Sequence, residues 1–376
     1  MEFKIKHEFF NNAISNVSKA VSSKTPFPIL TGIKVAAEED CLTLTGSNSD
    51  IFIEKIIPAV IDGVKVLEVF ESGNAVITAK FLSEIVKKMP SDIHIKVDEE
   101  QHMTITSDDI LTNLNGFPSE EYPKLPQMEH AEHIKIPAIK LMEIIKQTAF
   151  AASKNESRPV LTGVHMSFKE NRFSCAATNS HRLALRETEI DCNITGSFIV
   201  PGSSLNQLAK LMNHEAGVIH IFLTDSYIVF KAETILLYSR LIEGRYPNVS
   251  GLIPQEATTV ITLNTNQLLN GIDRATLFAG EWKNNNVHLE VKEDSKLRIS
   301  SNSSAIGYIE ETQKINDISG EKELSISLDG TFLMEALKTI QEDEVRLSFG
   351  SSMRPVLIKP VGNDFYLHLI SPVRTN

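Results

Sequence analysis

Residues 156–185, ESRPVLTGVHMSFKENRFSCAATNSHRLAL, share a local grammar with residues 24–53, KTPFPILTGIKVAAEEDCLTLTGSNSDIFI, and residues 281–309, EWKNNNVHLEVKEDSKLRISSNSSAIGYI. Aligning Asn48, Asn179 and Asn302 places the three stretches 131 and 123 residues apart, close to one third of the 376-residue chain. A second repeat has the same period. Tyr122-Pro123 and Tyr246-Pro247, 124 residues apart, each precede a short run ending in Leu-Pro or Ile-Pro. These pairs mark the ends of copies one and two, which sets boundaries at 1–127, 128–255 and 256–376. The linker PSEEYPKLPQMEHAEH (118–133) has the proline and charge of an exposed connector.

Each copy carries two amphipathic helical stretches. Phe10, Ile14, Val17 and Val21 recur at helical spacing, with equivalents beginning near Leu141 and Leu268. The second helix carries Phe81, Leu82, Ile85, Val86 and Met89 in copy one. Its counterparts are Leu205, Leu208, Leu211 and Met212 in copy two, then Phe332, Leu333, Ala336, Leu337 and Ile340 in copy three. Between the helices, HIKV, CLTLTG, HMTITS, VIHIFLTDSYIVFKA and EVRLSFG alternate with period two, the pattern of half-buried antiparallel strands. The class is α+β, with antiparallel sheets rather than βαβ crossovers.

Composition agrees with a folded, multidomain chain: 42% hydrophobic, 23% charged and only 15 prolines. No apolar run approaches the roughly 20 residues that span a bilayer, and MEFKIKHEFF lacks a signal core, so a cytoplasmic location and no membrane partner are expected. Cys41, Cys175 and Cys192 form no C-x-x-C pair and read as free thiols.

The net charge of −11 argues against a nucleic-acid partner unless charge is segregated. It is segregated. The six helical stretches with their adjoining loops sum to about +7, and the remainder to about −18. Lys19, Lys24, Lys80, Lys87, Lys88, Lys146, Lys154, Arg158 and Lys210 supply most of the positive charge. Exposed helix faces also carry lysine for solubility alone, so this pattern by itself leaves both readings open. No base-reading motif is present, so any DNA contact is expected to be directed at the backbone.

No phosphate loop, dinucleotide fingerprint, zinc-protease helix or nucleophile elbow occurs, and no catalytic residues, cofactor or metal are expected. His130 and His133 have ligand-like spacing but sit in the charged linker, where a solvated pair is the reading. Asp50, Asp108 and Asp109 read as turn or capping residues. Two rival readings remain: a small-molecule enzyme using His181, Arg182 and a distant carboxylate, and a scaffold that binds proteins but not DNA.

The three copies, together with KTPFPILTG, SRPVLTG, ATNSHRLAL, GRYPNVSGLIP and the terminal PVRTN, resemble the bacterial sliding clamp family, the β subunit of DNA polymerase III. The resemblance covers essentially the whole chain and is strongest to clamps of low-GC Gram-positive bacteria. It implies a homodimer of two three-domain subunits joined head to tail around double-stranded DNA. Twelve helices, each about 10 Å across, would define a circle of roughly 120 Å and leave an opening of about 28 Å. It also implies partners: the polymerase III catalytic subunit, the clamp loader and other replication and repair proteins with clamp-binding motifs. The family's peptide pocket maps onto Leu161, Thr178, Ser180, His181, Arg182, Leu183, Pro247, Leu252, Pro355, Leu369, Pro372 and Val373.

By the same resemblance, Lys24, Lys154 and Arg158 are DNA-facing, and the neighbouring Asn155 is placed to hydrogen-bond a phosphate. Leu277 and Phe278 would meet the partner's first domain near Lys80. Without the family, Leu161, Leu252 and Leu369 read as core, Leu277-Phe278 as helix-end core, and His181-Arg182 equally as a structural hydrogen-bonding pair. Asn179, Ser371 and Trp282 depart from the family pattern of an Asp, an apolar residue and a basic residue at those positions. A specialised second clamp is the alternative those departures raise.

Overall fold

The computed structural model describes all residues except 23, 127, 129–132, 193, 213–216, 280–285, 293–294, 305 and 374–376. His130 and Trp282 lie outside the described residues. Six α-helices occur among the described residues, two per copy: α1 (His7–Val17), α2 (Ala79–Val86), α3 (Ala138–Thr148), α4 (Gly202–Leu211), α5 (Thr265–Ala279) and α6 (Gly330–Leu337). None is long and apolar enough to cross a membrane.

The chain divides into two compact units, Met1–Ile139 with Gln207–Leu241, and Lys140–Asn206 with Ile242–Asn376. They do not coincide with the three copies. The second copy contributes strands to both, because sheets run continuously from one copy into the next.

In the first unit a 13-stranded antiparallel sheet starts with four strands of copy two, ending in Ile235–Arg240, and continues through Ile51–Pro58, Cys41–Ser47 and Gly32–Ala37 of copy one. The period-two runs become strands as expected. In Cys41–Ser47, Leu42 and Leu44 are buried, and in His102–Ser107, Met103 and Ile105 are, with the intervening threonines turned outward. Helix α1 presses Phe10, Ala13, Ile14 and Val17 into the core, and Phe10 meets the edge of Phe3 at 6.1 Å. Burying each such large side chain contributes roughly 1.5–3 kcal/mol.

Two expectations are corrected here. Helix α1 stops at Val17, followed by a tight turn over Ser18–Ala20, so Val21 stands in extended backbone, its N–H bonded to the Ser18 carbonyl at 3.1 Å. The end of the helix lies so close to Gly46 that a Cβ there would sit 2.2 Å from the Val17 carbonyl oxygen. Phe81 is 55% exposed, on the face of α2 opposite Leu82 and Val86.

In the second unit, a nine-stranded sheet joins Arg182–Glu189 of copy two to Tyr366–Ile370 of copy three, and a four-stranded sheet lies within copy three. Helices α5 and α6 bury Leu268, Ile272, Ala275, Leu333, Ala336 and Leu337 among Val287, Leu289, Ile299, Leu328, Val345 and Leu347. Asp329 caps α6, its Oδ1 accepting from the Phe332 N–H at 3.1 Å. Ile340, expected within this helix, lies just beyond it and is still buried.

A polar cluster is enclosed in this core. The Tyr366 hydroxyl hydrogen-bonds the Thr339 hydroxyl and lies 2.7 Å from His368 Nε2. Thr339 also donates to the Ala336 carbonyl at 2.6 Å. Burial, reinforced by the nearby Arg182 cation, holds His368 down at about 3, so its imidazole is neutral in the folded chain. An unfolded His takes a proton below its ordinary value of 6.5, while the folded one does not. The stabilisation is therefore complete above that value and is lost as pH falls towards the folded one. Between pH 6.5 and 5 the loss is about 2 kcal/mol. We expect the melting temperature of the wild type to fall more steeply over that interval than that of His368→Asn; parallel curves would remove His368 as the cause.

Candidate partner-binding cleft and nucleic-acid face

The residues mapped to a peptide pocket all fall in the second unit, and strand pairing brings a central set of them together. Leu183 stands opposite Leu369 across the junction of copies two and three, and Leu369 stands opposite Leu357. One step along, Leu185 pairs with Leu367. Leu183, Leu185, Leu367, Leu369 and Ala176 form one apolar cluster on a single face of the sheet, with Val249, Ile253 and Leu357 packed against it. Leu185, Leu367, Leu357, Val249 and Ile253 were not among the expected site residues. The alternation in RLALRE and YLHLI carries the signal for two of them, Leu185 and Leu367.

The rim is polar and held by backbone bonds. Asn179 Oδ1 accepts from the N–H groups of His181 and Arg182, each at 3.0 Å, closing a turn in which Ser180 has φ 76°. Asn48 builds the same turn in copy one, bonded to Asp50 and Ile51, with Ser49 at φ 81°. The two acceptor bonds are ones an aspartate would also make, so Asn179 preserves the turn. The Thr178 hydroxyl donates to the Arg182 carbonyl at 2.6 Å. Ser371 donates its N–H to the His181 carbonyl at 2.8 Å, and Val373 donates to Ser327. His181, Ser180, Pro247 and Leu252 are exposed, while Pro355, Pro372 and Val373 are half-buried.

Tyr246 anchors the linker that crosses this face. Its ring stacks on His165 at 5.1 Å, its hydroxyl accepts from the Thr178 N–H at 3.0 Å, and burial pushes its pKa up to about 12. Tyr122 has the matching place in copy one, its hydroxyl bonded to the carbonyls of Gly32 and Thr45. The Tyr-Pro repeat is thus a pair of anchors, each tying a linker to the strand behind it.

Three mapped residues behave differently from the rest. Leu161 is buried, in a short turn apart from the Leu183 cluster. Leu252 is 51% exposed, which overturns its reading as core. Arg182 points away from the Leu183 face. Its guanidinium is buried between Phe150 and Phe332, 5.1 and 4.5 Å from the ring centres, donates to the Phe150 carbonyl and pairs with Glu335 of α6. A cation so enclosed is unavailable to a substrate, which removes the constellation that the small-molecule enzyme reading required.

Lys24, Lys154, Asn155 and Arg158 are exposed. Copies one and two build the loop after their first helix in the same way. The Ser22 hydroxyl bridges the N–H and carbonyl of Lys24, and the Ser153 hydroxyl bridges those of Asn155. The Asn155 side chain accepts from the Ser157 N–H at 2.9 Å, so it shapes the loop. Among the described residues, no carboxylate is ion-paired with Lys24, Lys80, Lys87, Lys146, Lys154 or Arg158. Lys19, in the tight turn after α1, reaches the Lys210 carbonyl at the end of α4, 3.3 Å away, and burial followed by the Lys210 charge lowers its pKa. His133 stacks on His220 and Phe222 at 5.6 and 5.3 Å, an aromatic arrangement rather than a ligand pair.

Leu277 is 71% exposed at the end of α5 and Phe278 is half-buried beside it, so Leu277 is not helix-end core. Lys80 is exposed, its Nζ 6.0 Å from the Phe81 ring centre.

Sequence profiles of the DNA polymerase III beta subunit match the chain throughout: the N-terminal domain over residues 1–126, the central domain over 135–248 and the C-terminal domain over 250–374. The beta sliding clamp of Bacillus subtilis is 41% identical over 378 residues, and that of Staphylococcus aureus strain N315 is 38% identical over 377, each alignment covering 100% of both chains. The crystal structure of the Bacillus subtilis sliding clamp superposes with a TM-score of 0.97 at 41% identity, and that of the Streptococcus pyogenes beta subunit with 0.94 at 32%, again over 100% of each chain. The chain therefore belongs to the beta sliding clamp family, the non-catalytic, three-domain processivity subunits of DNA polymerase III.

Proposed function

We propose that two copies of this chain close head to tail into a ring around duplex DNA in the cytoplasm and tether partner proteins through the cleft at the junction of copies two and three. The domains meet near residues 127 and 255, in the linkers anchored by Tyr122 and Tyr246. The observation that carries the tethering role is the cross-strand pair Leu183–Leu369 within its apolar cluster, bordered by exposed Ser180, His181 and Pro247. An apolar floor with a polar rim suits a short peptide that inserts Leu and Phe side chains, such as those of the polymerase catalytic subunit and the clamp loader.

Two free strand edges support dimerisation. Strand Ile110–Phe117 pairs with Gly73–Thr78 only through Gly116 and Phe117, which leaves Ile110 and Leu111 exposed. Strand Gly307–Lys314 is the edge of the four-stranded sheet, with Tyr308 76% exposed. Such edges invite a partner strand. Leu277 and Phe278 of one protomer then pack near Lys80 and Phe81 of the other.

DNA is held by enclosure, with Lys24, Lys154 and Arg158 attracting phosphates without reading bases.

Three outcomes test this reading. Leu183→Ala should weaken binding of a polymerase-derived peptide by about 2 kcal/mol, roughly thirtyfold, by calorimetry; unchanged affinity would place the cleft elsewhere. The triple change Lys24→Ala, Lys154→Ala, Arg158→Ala should lower the salt slope of DNA binding by about 2–3, while rings loaded on nicked circular plasmid still leave on linearisation. Leu277→Asp should shift the solution mass from a dimer to the 41.8 kDa chain in analytical ultracentrifugation. A wild type already monomeric would exclude the ring.

A further inference from the structure

At the end of strand Ile51–Pro58 remote from the Asn48 turn, the first unit holds an open pocket of about 580 Å3. Its walls are Phe9 of α1, Ile56, Ile57 and Pro58 of the strand, and Val60 and Ile61 of the hairpin that follows. Among these six only Ile57 is buried; Val60 is 55% exposed, and Val64 of the paired hairpin strand is 52% exposed. The size and the apolar lining are those of a binding site. The strand explains why the pocket stays open. Its neighbour Ile235–Arg240 reaches no further than Lys55, and the last bond on that side runs from the Ile56 N–H to the Thr234 carbonyl at 2.9 Å. Pro58 has no N–H to offer, so a further strand would find no donor there, and the edge is read through its side chains.

The rim is acidic. Glu8 of α1 and Glu233 of the turn before Ile235 are exposed, and neither is paired with a cation among the described residues. Lys55, the cation among the lining residues, donates to the Thr234 hydroxyl at 2.7 Å. The second junction builds the same frame from other residues. Helix α3 starts 131 positions after α1, and Glu187 donates its N–H to the Phe365 carbonyl as Ile56 does to Thr234. There Phe9, Ile56, Ile57 and Pro58 are matched by Lys140, Glu187, Thr188 and Glu189, and the Lys140 ammonium donates to the Glu189 carbonyl at 2.7 Å. The apolar pocket is therefore a feature of the first junction and no consequence of the repeat.

We propose that this pocket is a separate protein-docking site, taking a peptide segment that inserts one large apolar side chain and carries Lys or Arg on either side of it. The apolar walls account for the inserted side chain. The lining charges, Glu8 and Glu233 against Lys55, leave the pocket negative, which selects cations beside that anchor and disfavours acidic segments. The pocket shares no residue with the Leu183–Leu369 cluster, so the two sites fill independently.

The test is an NMR titration of the full-length protein with labelled isoleucine methyls. One synthetic peptide holds a single phenylalanine between two arginines, and a second replaces both arginines by glutamate. In the wild type and in Leu183→Ala alike, the methyls of Ile56, Ile57 and Ile61 should move with the arginine peptide and stay still with the glutamate peptide. The double change Glu8→Gln with Glu233→Gln should weaken that binding about fivefold, the worth of two exposed ion pairs. Ile61→Lys, which sets a cation in the pocket, should abolish the movement at Ile56 and Ile57 while methyls elsewhere keep their positions. No movement with the arginine peptide, equal movement with both peptides, or an affinity indifferent to Glu8 and Glu233 would overturn the proposal. Movement of the same methyls on concentrating the peptide-free protein would assign the pocket to a second copy of this chain and overturn it too.

Discussion

The pairing of strand edges between copies is the interaction on which the rest depends. Ile51–Pro58 hydrogen-bonds Ile235–Arg240, and Arg182–Glu189 hydrogen-bonds Tyr366–Ile370, so that sheets pass from one copy to the next without a break. Each junction satisfies two edges that would otherwise expose a row of unpaired amides and carbonyls. The same register brings Leu183 and Leu369, far apart in the chain, into one apolar patch. The apolar patch proposed as the cleft is thus a by-product of the way the repeats are joined.

Alternation along these strands assigns the two faces different tasks. On one face Leu183 and Leu185 join the apolar cluster at the junction. On the other, Arg182 locks onto Phe150, Phe332 and Glu335, and Arg186 reaches Asn363 at 3.0 Å. A buried guanidinium is costly unless paired, and here the pairing ties a strand of copy two to a helix of copy three. The strand that floors the proposed cleft is therefore fixed from behind, without using any residue of its apolar face.

The repeats, the two helices in each copy and the alternating strands were legible in the sequence because they are local periodicities. The Asn48 and Asn179 turns and the Tyr122 and Tyr246 anchors were legible as spacing, though their hydrogen-bonding roles were not. What the sequence hid were features decided by distant pairing. The match of Leu183 with Leu369, the burial of Arg182 against Glu335 and the exposure of Phe81 and Leu277 all depend on which edges meet. Val21 shows the limit of helical spacing: it fits the pattern of Phe10, Ile14 and Val17, yet the chain has left the helix by then. Family resemblance named Leu183 and Leu369 but not Leu185, Leu367 or Val249, which give the patch its extent.

Charge placement follows from the same economy of repeats. The chain is acidic overall, yet among the described residues Lys24, Lys80, Lys87, Lys146, Lys154 and Arg158 have no ion-paired carboxylate, and Lys19 lies close to Lys210, its pKa lowered by burial and then by that charge. Local stability would favour an acidic neighbour at such a site. In the proposed DNA-facing role, such cations can neutralise phosphates without first breaking an ion pair, which releases the counterions condensed on the polyanion. In the proposed ring, acidic charge elsewhere would keep that attraction from spreading, so that a duplex would be held by closure and not by the strength of any one contact.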